Sequence, residues 1–374
     1  MPKIRILVVD DSVVVRRMVG DALSADPELE VVGAAANGRI ALARIPQVNP
    51  DIIILDVEMP ELDGLATLEM IRKSRPALPV IMYSTLTRRG AEATLDALAK
   101  GATDYVTKPT NVGSAAQALE CIRTQLIPKI KTFCGRATGM SLPPTLAVPA
   151  PSKPPLPRAG IPRPEERIDI VAIAVSTGGP NALADLIPTL PSDFPVPLVI
   201  VQHMPPVFTR LLAERLAAKS QIGVEEGRTG AVLEPGSAWL APGDYHMIVE
   251  AERNQVILRT HQGPPENSCR PAADVLLRSV AEVYKPHALG VVMTGMGQDG
   301  LRGCECIREV GGQVLAQDEA SSVVWGMPGF VANAGLADKV LPLGQLGMEI
   351  VRRVWKGRGT TRGIEPAFGA EQVR

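Results

Sequence analysis

One stretch constrains the fold of this chain more than any other, residues 169–180, which read D-I-V-A-I-A-V-S-T-G-G-P. Its six consecutive apolar residues, Ile170–Val175, are too few to span a membrane and are typical of a strand buried on both faces of a parallel sheet. Pro180 suits the first turn of a following helix, where its missing N–H costs nothing. Ser176 therefore lies at a strand-to-helix corner, at the carboxyl edge where open α/β sheets bind their ligands.

Three interpretations of this corner are open on its own residues. Ser176 can be a nucleophile on a tight turn. The segment can also be a phosphate-binding loop, because Gly178 and Gly179 let backbone N–H groups approach a ligand and a helix N-terminus favours negative charge. Serine is also a common helix N-cap without any catalytic role. A general base and an orienting acid elsewhere in the chain would favour the nucleophile.

Two more apolar strands in the second half of the chain end in polar residues. Leu198–Gln202 is followed by His203, and Ala288–Met293 runs into a glycine-rich loop that contains Asp299. If these strands lie beside the first one, His203 can act as general base for Ser176 while Asp299 fixes its tautomer. The candidate donors to an oxyanion are backbone N–H groups of the two adjoining turns, at Thr177, Gly178 and Met296.

Each of these residues also has a purely structural interpretation. His203 can be a hydrogen-bonded histidine at a strand end, and Asp299 can be the acid of a turn before a helix. Three other histidines compete for the role of base. His246 follows A-P-G-D-Y and can border the same cleft, whereas His261 and His287 do not follow buried strands.

Composition narrows the class of protein. A chain of 374 residues predicts two domains, and a net charge of −1 argues against a general nucleic-acid or membrane-surface binder. The five cysteines lack CxxC spacing and there are only four histidines, so no zinc pattern is present and a reducing, cytoplasmic compartment is expected. The first ten residues form a strand that ends in acid rather than a signal peptide. No apolar run is long enough for membrane insertion.

The first 126 residues alternate short apolar strands with helices, which predicts a parallel sheet covered on both faces. Asp10, Asp11 and Asp56 follow two of these strands, so their carboxylates cluster at one sheet edge. Clustered carboxylates repel one another unless a cation neutralises them, and Asp11 and Asp56, with Asp10, are oxygen ligands that suit Mg²⁺. Lys108 and Ser84 follow two other strands and add a charge and a hydroxyl.

These residues resemble a response-regulator receiver domain over about residues 3–122. The matching motifs are D-D at 10–11, D at 56 followed by M-P-x-x-D-G, S-T at 84–85 and K-P at 108–109. The resemblance implies a flavodoxin-like domain with a five-stranded parallel sheet, in which Asp56 accepts phosphate from a histidine kinase and Mg²⁺ is the cofactor. It also implies that Ser84 and Tyr105 form the switch pair and that the Lys108–Pro109 bond is often cis.

A proline-rich segment separates the two halves of the chain. Residues 141–166 hold nine prolines in 26 positions without helical or strand periodicity, which favours an extended polyproline-like linker over a recognition motif. The expected organisation is a receiver domain over residues 1–126, a linker over 127–167, a second α/β domain over 168–357 and a tail over 358–374.

The second domain resembles the catalytic domain of chemotaxis response-regulator protein-glutamate methylesterases. The shared motifs are S-T-G-G-P at 176–180, Q-H-M at 202–204, A-P-G-D-Y-H at 241–246, R-P at 270–271, T-G-M-G-x-D-G at 294–300 and G-M-P at 326–328. The resemblance implies a doubly wound α/β methylesterase domain that hydrolyses glutamate methyl esters, and deamidates glutamines, on the cytoplasmic helices of chemoreceptors. It implies no cofactor for the esterase reaction. It further implies that the unphosphorylated receiver covers the active site.

Two other functions compete with this one. A receiver-gated module that binds phosphate or a nucleotide without catalysis would not need His203 or Asp299, and the loop at 176–180 lacks the lysine of a P-loop. A transcriptional response regulator would need a basic helix-turn-helix effector, whereas residues 168–357 alternate strands and helices.

Overall fold

The structure of the protein is a computed structural model, and it describes residues 2–108, 119–135, 167–356 and 358. These residues form two α/β domains, called here the N-terminal domain (residues 2–135) and the C-terminal domain (residues 167–358). The proline-rich segment 141–166, nearly all of the predicted tail and the Lys108–Pro109 bond lie outside the described residues, as does the start of the helix predicted from Ser114. No helix among the described residues has the length and apolar character that a membrane crossing requires.

The N-terminal domain contains one five-stranded parallel sheet with strand order β2-β1-β3-β4-β5. The strands are β1 (Ile4–Val9), β2 (Leu29–Ala35), β3 (Ile52–Asp56), β4 (Val80–Ser84) and β5 (Asp104–Thr107). The helices between them are α1 (Val13–Ser24), α2 (Gly38–Val48), α3 (Gly64–Ser74) and α4 (Arg88–Ala99). The five-stranded parallel sheet predicted from the sequence is confirmed.

Polar residues at the carboxyl edge of this sheet fix where its helices begin. The side chains of Ser12, Asn37, Asp63 and Thr87 each accept a hydrogen bond from a backbone N–H in the first turn of the next helix. Such caps satisfy donors that have no partner within the helix. The helix caps are therefore supplied by residues other than Asp10, Asp11 and Asp56.

The last helix of the N-terminal domain extends beyond the predicted boundary at residue 126. A π-helical segment, Ile122–Leu126, leads directly into α5 (Ile127–Phe133). Ile127 and Ile130 are buried in the same hydrophobic cluster as Ile6 and Val8 of β1. Because these side chains complete the core, residues 127–133 belong to the N-terminal domain, and the predicted start of the linker at residue 127 is corrected to a point after this helix.

The C-terminal domain is built on a seven-stranded parallel sheet with strand order β14-β13-β12-β6-β7-β9-β8. Its strands are β6 (Ile170–Val175), β7 (Leu198–Gln202), β8 (Gly223–Glu226), β9 (Ser237–Leu240), β12 (Ala288–Val292), β13 (Gln313–Gln317) and β14 (Lys339–Leu341), and β10 (His246–Glu252) and β11 (Gln255–His261) form a separate antiparallel hairpin. The helices are α6 (Gly179–Leu186), α7 (Phe208–Lys219), α8 (Ala273–Tyr284), α9 (Leu301–Glu309), α10 (Met327–Asn333) and α11 (Leu343–Trp355).

The strand order explains where a ligand can bind. The chain proceeds from β6 through β7 towards one edge of the sheet and later from β12 through β13 towards the other, so it reverses between β6 and β12. Alternate residues of β6 face opposite layers: Ile173 packs in the cluster that includes α6, α7 and α11, and Ala172 packs in the cluster that includes α8, α9 and α10. The predicted doubly wound arrangement is confirmed, and the crevice of such a fold opens at the reversal point.

The two domains pack through β5 and α4 on one side and α6 and α7 on the other. The ring of Tyr105 stacks on that of Phe208 with centroids 5.0 Å apart and planes 7° from parallel. Asn181 Nδ2 donates to Leu98 O over 2.9 Å. Arg215 donates to Asp96 Oδ1 over 2.6 Å and to the carbonyl oxygen of Glu92 over 2.9 Å. The face of the N-terminal domain that carries Tyr105 is therefore directed at the C-terminal domain.

Candidate functional site

The acidic cluster predicted in the N-terminal domain is present. Asp10 and Asp56 are buried, Asp11 is exposed, and their carboxylate oxygens lie within 4.8 Å of one another. Lys108 Nζ lies 2.8 Å from Asp10 Oδ2 and 2.7 Å from Asp56 Oδ2. The cluster thus combines two buried carboxylates and one exposed carboxylate, oxygen ligands of the kind that Mg²⁺ prefers, with one positive charge.

The environment of Asp56 changes its acidity. Burial raises the pKa of Asp56 to about 6, even though Lys108 acts in the opposite direction. Two buried carboxylates share one lysine, so their charge is not fully balanced by the protein. A divalent cation with the same ligands would remove this imbalance.

The predicted switch residues lie on neighbouring strands, Ser84 at the end of β4 and Tyr105 on β5. Ser84 is fully buried, and its hydroxyl donates to the carbonyl oxygen of Gly90 in α4 over 3.0 Å. Tyr105 faces the C-terminal domain through its stack on Phe208, and Lys129 Nζ lies 5.5 Å from the centroid of the Tyr105 ring. Phe208 and Lys129 were not singled out in the sequence, because nothing in the chain indicates which surfaces the two domains share.

The three predicted residues of the C-terminal domain follow adjacent strands. Ser176 follows β6, His203 follows β7, and Asp299 lies in the loop after β12. His203 Nε2 donates to Asp299 Oδ2 over 2.7 Å. His203 and Ser176 line the same cavity. The convergence predicted from the three strand ends is therefore present at the point where the strand order reverses.

Asp299 is held by several hydrogen bonds besides that from His203. The backbone N–H groups of Ala273 and Asp274, at the start of α8, donate to it over 2.6 and 3.0 Å, and Asn267 Nδ2 donates over 2.9 Å. Burial would raise the pKa of Asp299, but the hydrogen bonds from His203 and from these backbone groups lower it. Asp299 therefore remains a carboxylate and fixes the orientation of the imidazole ring.

The second nitrogen of His203 faces a thiol. Cys269 Sγ lies 3.6 Å from His203 Nδ1, whereas the hydroxyl of Ser176 makes no hydrogen bond within the described part of the chain. Burial would lower the pKa of His203, but the hydrogen bonds with Asp299 and Cys269 raise it to about 10. In this arrangement the imidazole is held by Asp299 and Cys269, and transfer of the serine proton requires His203 Nδ1 to become available to Ser176.

The backbone around Ser176 is rigidly positioned. Its N–H donates to the carbonyl oxygen of Thr294, and its own carbonyl oxygen accepts hydrogen bonds from Gly179 N–H over 2.8 Å and from Gln202 Nε2 over 2.9 Å. Gly178, at φ +79°, turns the chain into α6, and a Cβ atom there would lie 2.6 Å from the side chain of Val323. A larger residue at position 178 would therefore disturb the turn that carries the hydroxyl.

The cavity at Ser176 has a volume of 680 Å³. Thr177 and Met296 line it, whereas Gly178, the third predicted residue of the oxyanion loop, is not among its lining residues. One wall is supplied by the N-terminal domain, through Tyr105, Val106, Thr107, Thr124, Gln125, Pro128 and Lys129. The N-terminal domain therefore borders the cavity that Ser176 and His203 share.

The competing histidines have other partners. His246 is buried, its Nε2 lies 3.0 Å from the carbonyl oxygen of Pro264, and Ala272 N–H donates to its Nδ1 over 3.2 Å. His261 pairs with His246 across the β10–β11 hairpin, and His287 Nδ1 lies 2.7 Å from the carbonyl oxygen of Arg167. None of the three lines the cavity at Ser176. His246 instead supports the loop that carries Cys269.

Three further residues belong to this site although no sequence pattern singles them out as functional. Asn267 bridges two buried carboxylates, since its Nδ2 donates to both Asp274 and Asp299. Asp274 in turn accepts hydrogen bonds from Gly300 N–H and Gly303 N–H at the start of α9. Cys269 and Asp274 flank the R-P motif at 270–271, in the segment C-R-P-A-A-D, but that motif indicates no role for either residue. Only the fold brings this segment beside β7 and β12.

Known proteins resemble the chain over almost its full length. The family model described as CheB methylesterase matches residues 171–350, and the response regulator receiver domain model matches residues 6–120. A protein-glutamate methylesterase/protein-glutamine glutaminase of Trichodesmium erythraeum is 59% identical over 95% of this chain and 100% of the relative. A protein of the same name from a Nocardioides species is 51% identical over 96% and 97% of the two chains.

A solved structure resembles the second half of the chain. The crystal structure of the Thermotoga maritima CheB methylesterase catalytic domain is 41% identical in sequence, with a TM-score of 0.49, and covers 50% of this chain and 99% of that chain. The sequence similarity to the two full-length relatives extends over both domains and the segment between them.

Proposed function

The chain belongs to the family of protein-glutamate methylesterases/protein-glutamine glutaminases, and on that premise we propose that Ser176, His203 and Asp299 perform its hydrolysis under control of the N-terminal domain. It is an enzyme that hydrolyses glutamate methyl esters and glutamine amides in proteins. The observation that carries the assignment of residues is the His203–Asp299 pair, 2.7 Å apart, in one cavity with the hydroxyl of Ser176.

The reaction has two halves. Ser176 Oγ attacks the ester carbonyl carbon while His203 Nδ1 takes the hydroxyl proton and Asp299 stabilises the resulting imidazolium. The tetrahedral intermediate collapses, the ester C–O bond breaks, and the leaving methoxide receives the proton from His203 to become methanol. Water then attacks the acyl-enzyme by the reverse proton route and releases the glutamate side chain. With a glutamine side chain, ammonia leaves in place of methanol.

The developing oxyanion needs donors fixed in advance. The turn after Ser176 and the loop that contains Met296 adjoin the attacked carbonyl, so the backbone N–H groups of Thr177, Gly178 and Met296 are the proposed donors. Loss of one such donor typically costs about 3–4 kcal/mol of transition-state stabilisation. The fixed carbonyl oxygen of Ser176, which accepts from Gln202 and Gly179, keeps this turn in place.

We further propose that Asp56 is the phosphate acceptor. Asp10, Asp11 and Asp56 would hold Mg²⁺, and their mutual distances fit a shared ion. When bound, the ion neutralises the carboxylates and the incoming phosphoryl oxygens. Lys108, bridging Asp10 and Asp56, is positioned to bind the phosphoryl group once it is attached. Ser84 and Tyr105 are the residues whose rearrangement would pass this change to the domain interface.

The proposed partners follow from these two sites. A histidine kinase supplies the phosphoryl group to Asp56, and the substrates are methylated helices of the cytoplasmic part of chemoreceptors. The unphosphorylated N-terminal domain narrows access to Ser176 through the wall that includes Tyr105 and Lys129. The proposed location is the cytoplasm, with no nucleic-acid partner. A phosphate- or nucleotide-binding module without catalysis is not favoured, because it would not use the His203–Asp299 pair.

The experiment measures methanol release from a methylated receptor fragment by the wild type and by Ser176→Ala, with and without a small phosphodonor and Mg²⁺. We expect no release from Ser176→Ala, and stimulation of the wild type that is absent from Asp56→Ala. Cys269→Ala is the informative comparison, because the thiol of Cys269 lies 3.6 Å from Nδ1 of the proposed base His203. Loss of release in Cys269→Ala together with activity in Ser176→Ala would transfer the role of nucleophile to the thiol.

A further inference from the structure

The thiol of Cys269 has no part in the proposed hydrolysis, yet it contacts the base. Of the five cysteines, Cys121 and Cys134 lie in the N-terminal domain and Cys304 and Cys306 lie on α9. Cys269 is partly exposed and lines the cavity that Ser176 and His203 share. A soft sulfur donor and an imidazole nitrogen therefore face the same open space.

The separation of these two atoms fits a bound metal ion. Zinc binds imidazole nitrogen at about 2.0–2.1 Å and thiolate sulfur at about 2.3 Å, so a tetrahedral angle between them separates nitrogen and sulfur by about 3.55 Å. His203 Nδ1 and Cys269 Sγ are 3.6 Å apart. The separation of the two atoms thus matches the spacing that one tetrahedral ion requires.

The surroundings of the pair are those of a metal-binding histidine. Asp299 accepts a hydrogen bond from His203 Nε2, which leaves the lone pair of Nδ1 free to face the ion and raises its basicity. His203, Cys269 and Asp299 form a group whose donor atoms lie within 4.8 Å of one another. The cavity leaves room for water at the remaining coordination positions, next to the hydroxyl of Ser176.

We propose that His203 Nδ1 and Cys269 Sγ form an inhibitory binding site for Zn²⁺ in the catalytic cavity. The thiol gives its proton to solvent when the sulfur binds the ion. The ion occupies the lone pair that would otherwise accept the proton of Ser176, so methanol release stops while the fold is unchanged. The inhibition rests on the proposed function of His203 as base, whereas the binding does not.

The ligand chemistry separates this site from the acidic cluster of the N-terminal domain. Asp10, Asp11 and Asp56 offer only hard oxygen atoms, which suit Mg²⁺, whereas the pair at His203 offers nitrogen and sulfur, which suit Zn²⁺. With only two protein ligands the zinc site is expected to be weaker than a structural zinc site and to release the ion to a chelator. Zinc inhibition would therefore be reversible and would persist when Mg²⁺ saturates the acidic cluster.

The test uses the full-length protein in saturating Mg²⁺ and compares the wild type with Cys269→Ser and with Cys306→Ser as a matched thiol control. Zinc affinity is measured by competition with a chromophoric chelator, and Co²⁺ is used to look for a thiolate-to-metal charge-transfer band. We expect Cys269→Ser to bind Zn²⁺ at least about tenfold more weakly and to lack the band, and Cys306→Ser to match the wild type. Circular dichroism and the unfolding temperature establish that each variant is folded, and Cys269→Ala repeats the comparison without the hydroxyl.

The activity measurement then distinguishes the two proposals. Each variant is compared with its own rate of methanol release in the absence of zinc. We expect Zn²⁺ to inhibit the wild type and Cys306→Ser, with recovery on adding EDTA, and to inhibit the Cys269 variants at least about tenfold less effectively. Equal zinc affinity in the wild type and the Cys269 variants would overturn the site. Loss of binding in those variants without any hydrolytic activity in the wild type would uphold the site and overturn the proposed function.

Discussion

Arg215 offers a way to weaken the contact between the two domains without touching either site. Its guanidinium extends from α7 to α4, where it donates to Asp96 Oδ1 over 2.6 Å and to the carbonyl oxygen of Glu92 over 2.9 Å. Arg215 does not line the cavity at Ser176, and its two hydrogen bonds go to α4 rather than to the acidic cluster. Arg215→Ala is therefore expected to favour separation of the domains while both sites remain complete.

The size of this effect on the interdomain contact depends on how far the Arg215–Asp96 pair is exposed to solvent. A hydrogen bond to a charged group contributes about 1.5–3 kcal/mol when it is buried, whereas an exposed ion pair contributes about 0.2–1 kcal/mol. The side chains of Arg215 and Asp96 are 33% and 49% exposed, so screening by solvent reduces the larger value. We expect the variant to lose about 1–2 kcal/mol of interdomain contact energy, which corresponds to about a 5–30-fold change in the equilibrium between closed and open forms.

The assay is methanol release without phosphodonor. If the closed form predominates in the wild type, the basal rate of Arg215→Ala should rise by about 5–30-fold, up to the rate of the phosphorylated wild type, while its own phosphorylated rate stays the same. Arg302→Ala is the control, because Arg302 is 72% exposed and pairs with Glu305 on its own helix. An unchanged basal rate in Arg215→Ala, or an equal rise in Arg302→Ala, would refute the argument that this contact restrains the enzyme.

Three further predictions concern the two sites themselves. Although burial lowers it, the hydrogen bonds with Asp299 and Cys269 raise the pKa of His203 to about 10, and only the neutral imidazole accepts a proton. The rate of methanol release by the wild type should therefore keep rising with pH well above about 6.5. Cys269→Ala removes one of these hydrogen bonds, so its rate should rise at lower pH. Identical pH profiles of the wild type and Cys269→Ala would contradict this. Burial raises the pKa of Asp56 to about 6, so phosphorylation by a small phosphodonor should decline as the pH falls through about 6, whereas constant labelling down to about pH 5 would contradict a carboxylate nucleophile. Gln202→Leu removes the hydrogen bonds to the carbonyl oxygens of Ser176 and His203. This variant should lower kcat at least about tenfold with little change in KM. A lower unfolding temperature with unchanged kcat would mean that Gln202 has only a structural role.

The parts of the fold and of the site that can be predicted from the sequence are those that follow a pattern repeated along the chain. Each of β6, β7 and β12 is a buried apolar run followed by a polar residue, and parallel strands place such ends on one edge, so the neighbourhood of Ser176, His203 and Asp299 follows from periodicity alone. The same argument places Asp10 and Asp56 together. In both domains the chemistry lies where local pattern and global topology agree.

Other features depend on contacts between distant segments, and no local pattern indicates them. Cys269 reaches His203 from a loop that is not part of the parallel sheet, and its approach is set by the bonds of His246 to Pro264 and Ala272. The stack of Tyr105 on Phe208 depends on how two separately folded surfaces meet. The sequence predicts that the linker starts at residue 127, and only the packing of Ile127 and Ile130 in the core shows that this helix belongs to the N-terminal domain.

The residues proposed to control access to the cavity and the residues proposed for catalysis lie in different domains. Every group proposed to act on the substrate belongs to the C-terminal domain, and the N-terminal domain supplies only a wall of the cavity. In the proposed control, phosphorylation at Asp56 therefore does not need to create a catalytic group, and the interdomain contact that it would have to alter includes the stack of Tyr105 on Phe208. A change in access alone would not make the proposed base available, because His203 Nδ1 faces the thiol of Cys269 in this structure. In the proposed mechanism, admitting the substrate is therefore not enough, because His203 Nδ1 must also exchange the thiol for the hydroxyl of Ser176, and this exchange would be a second point of control.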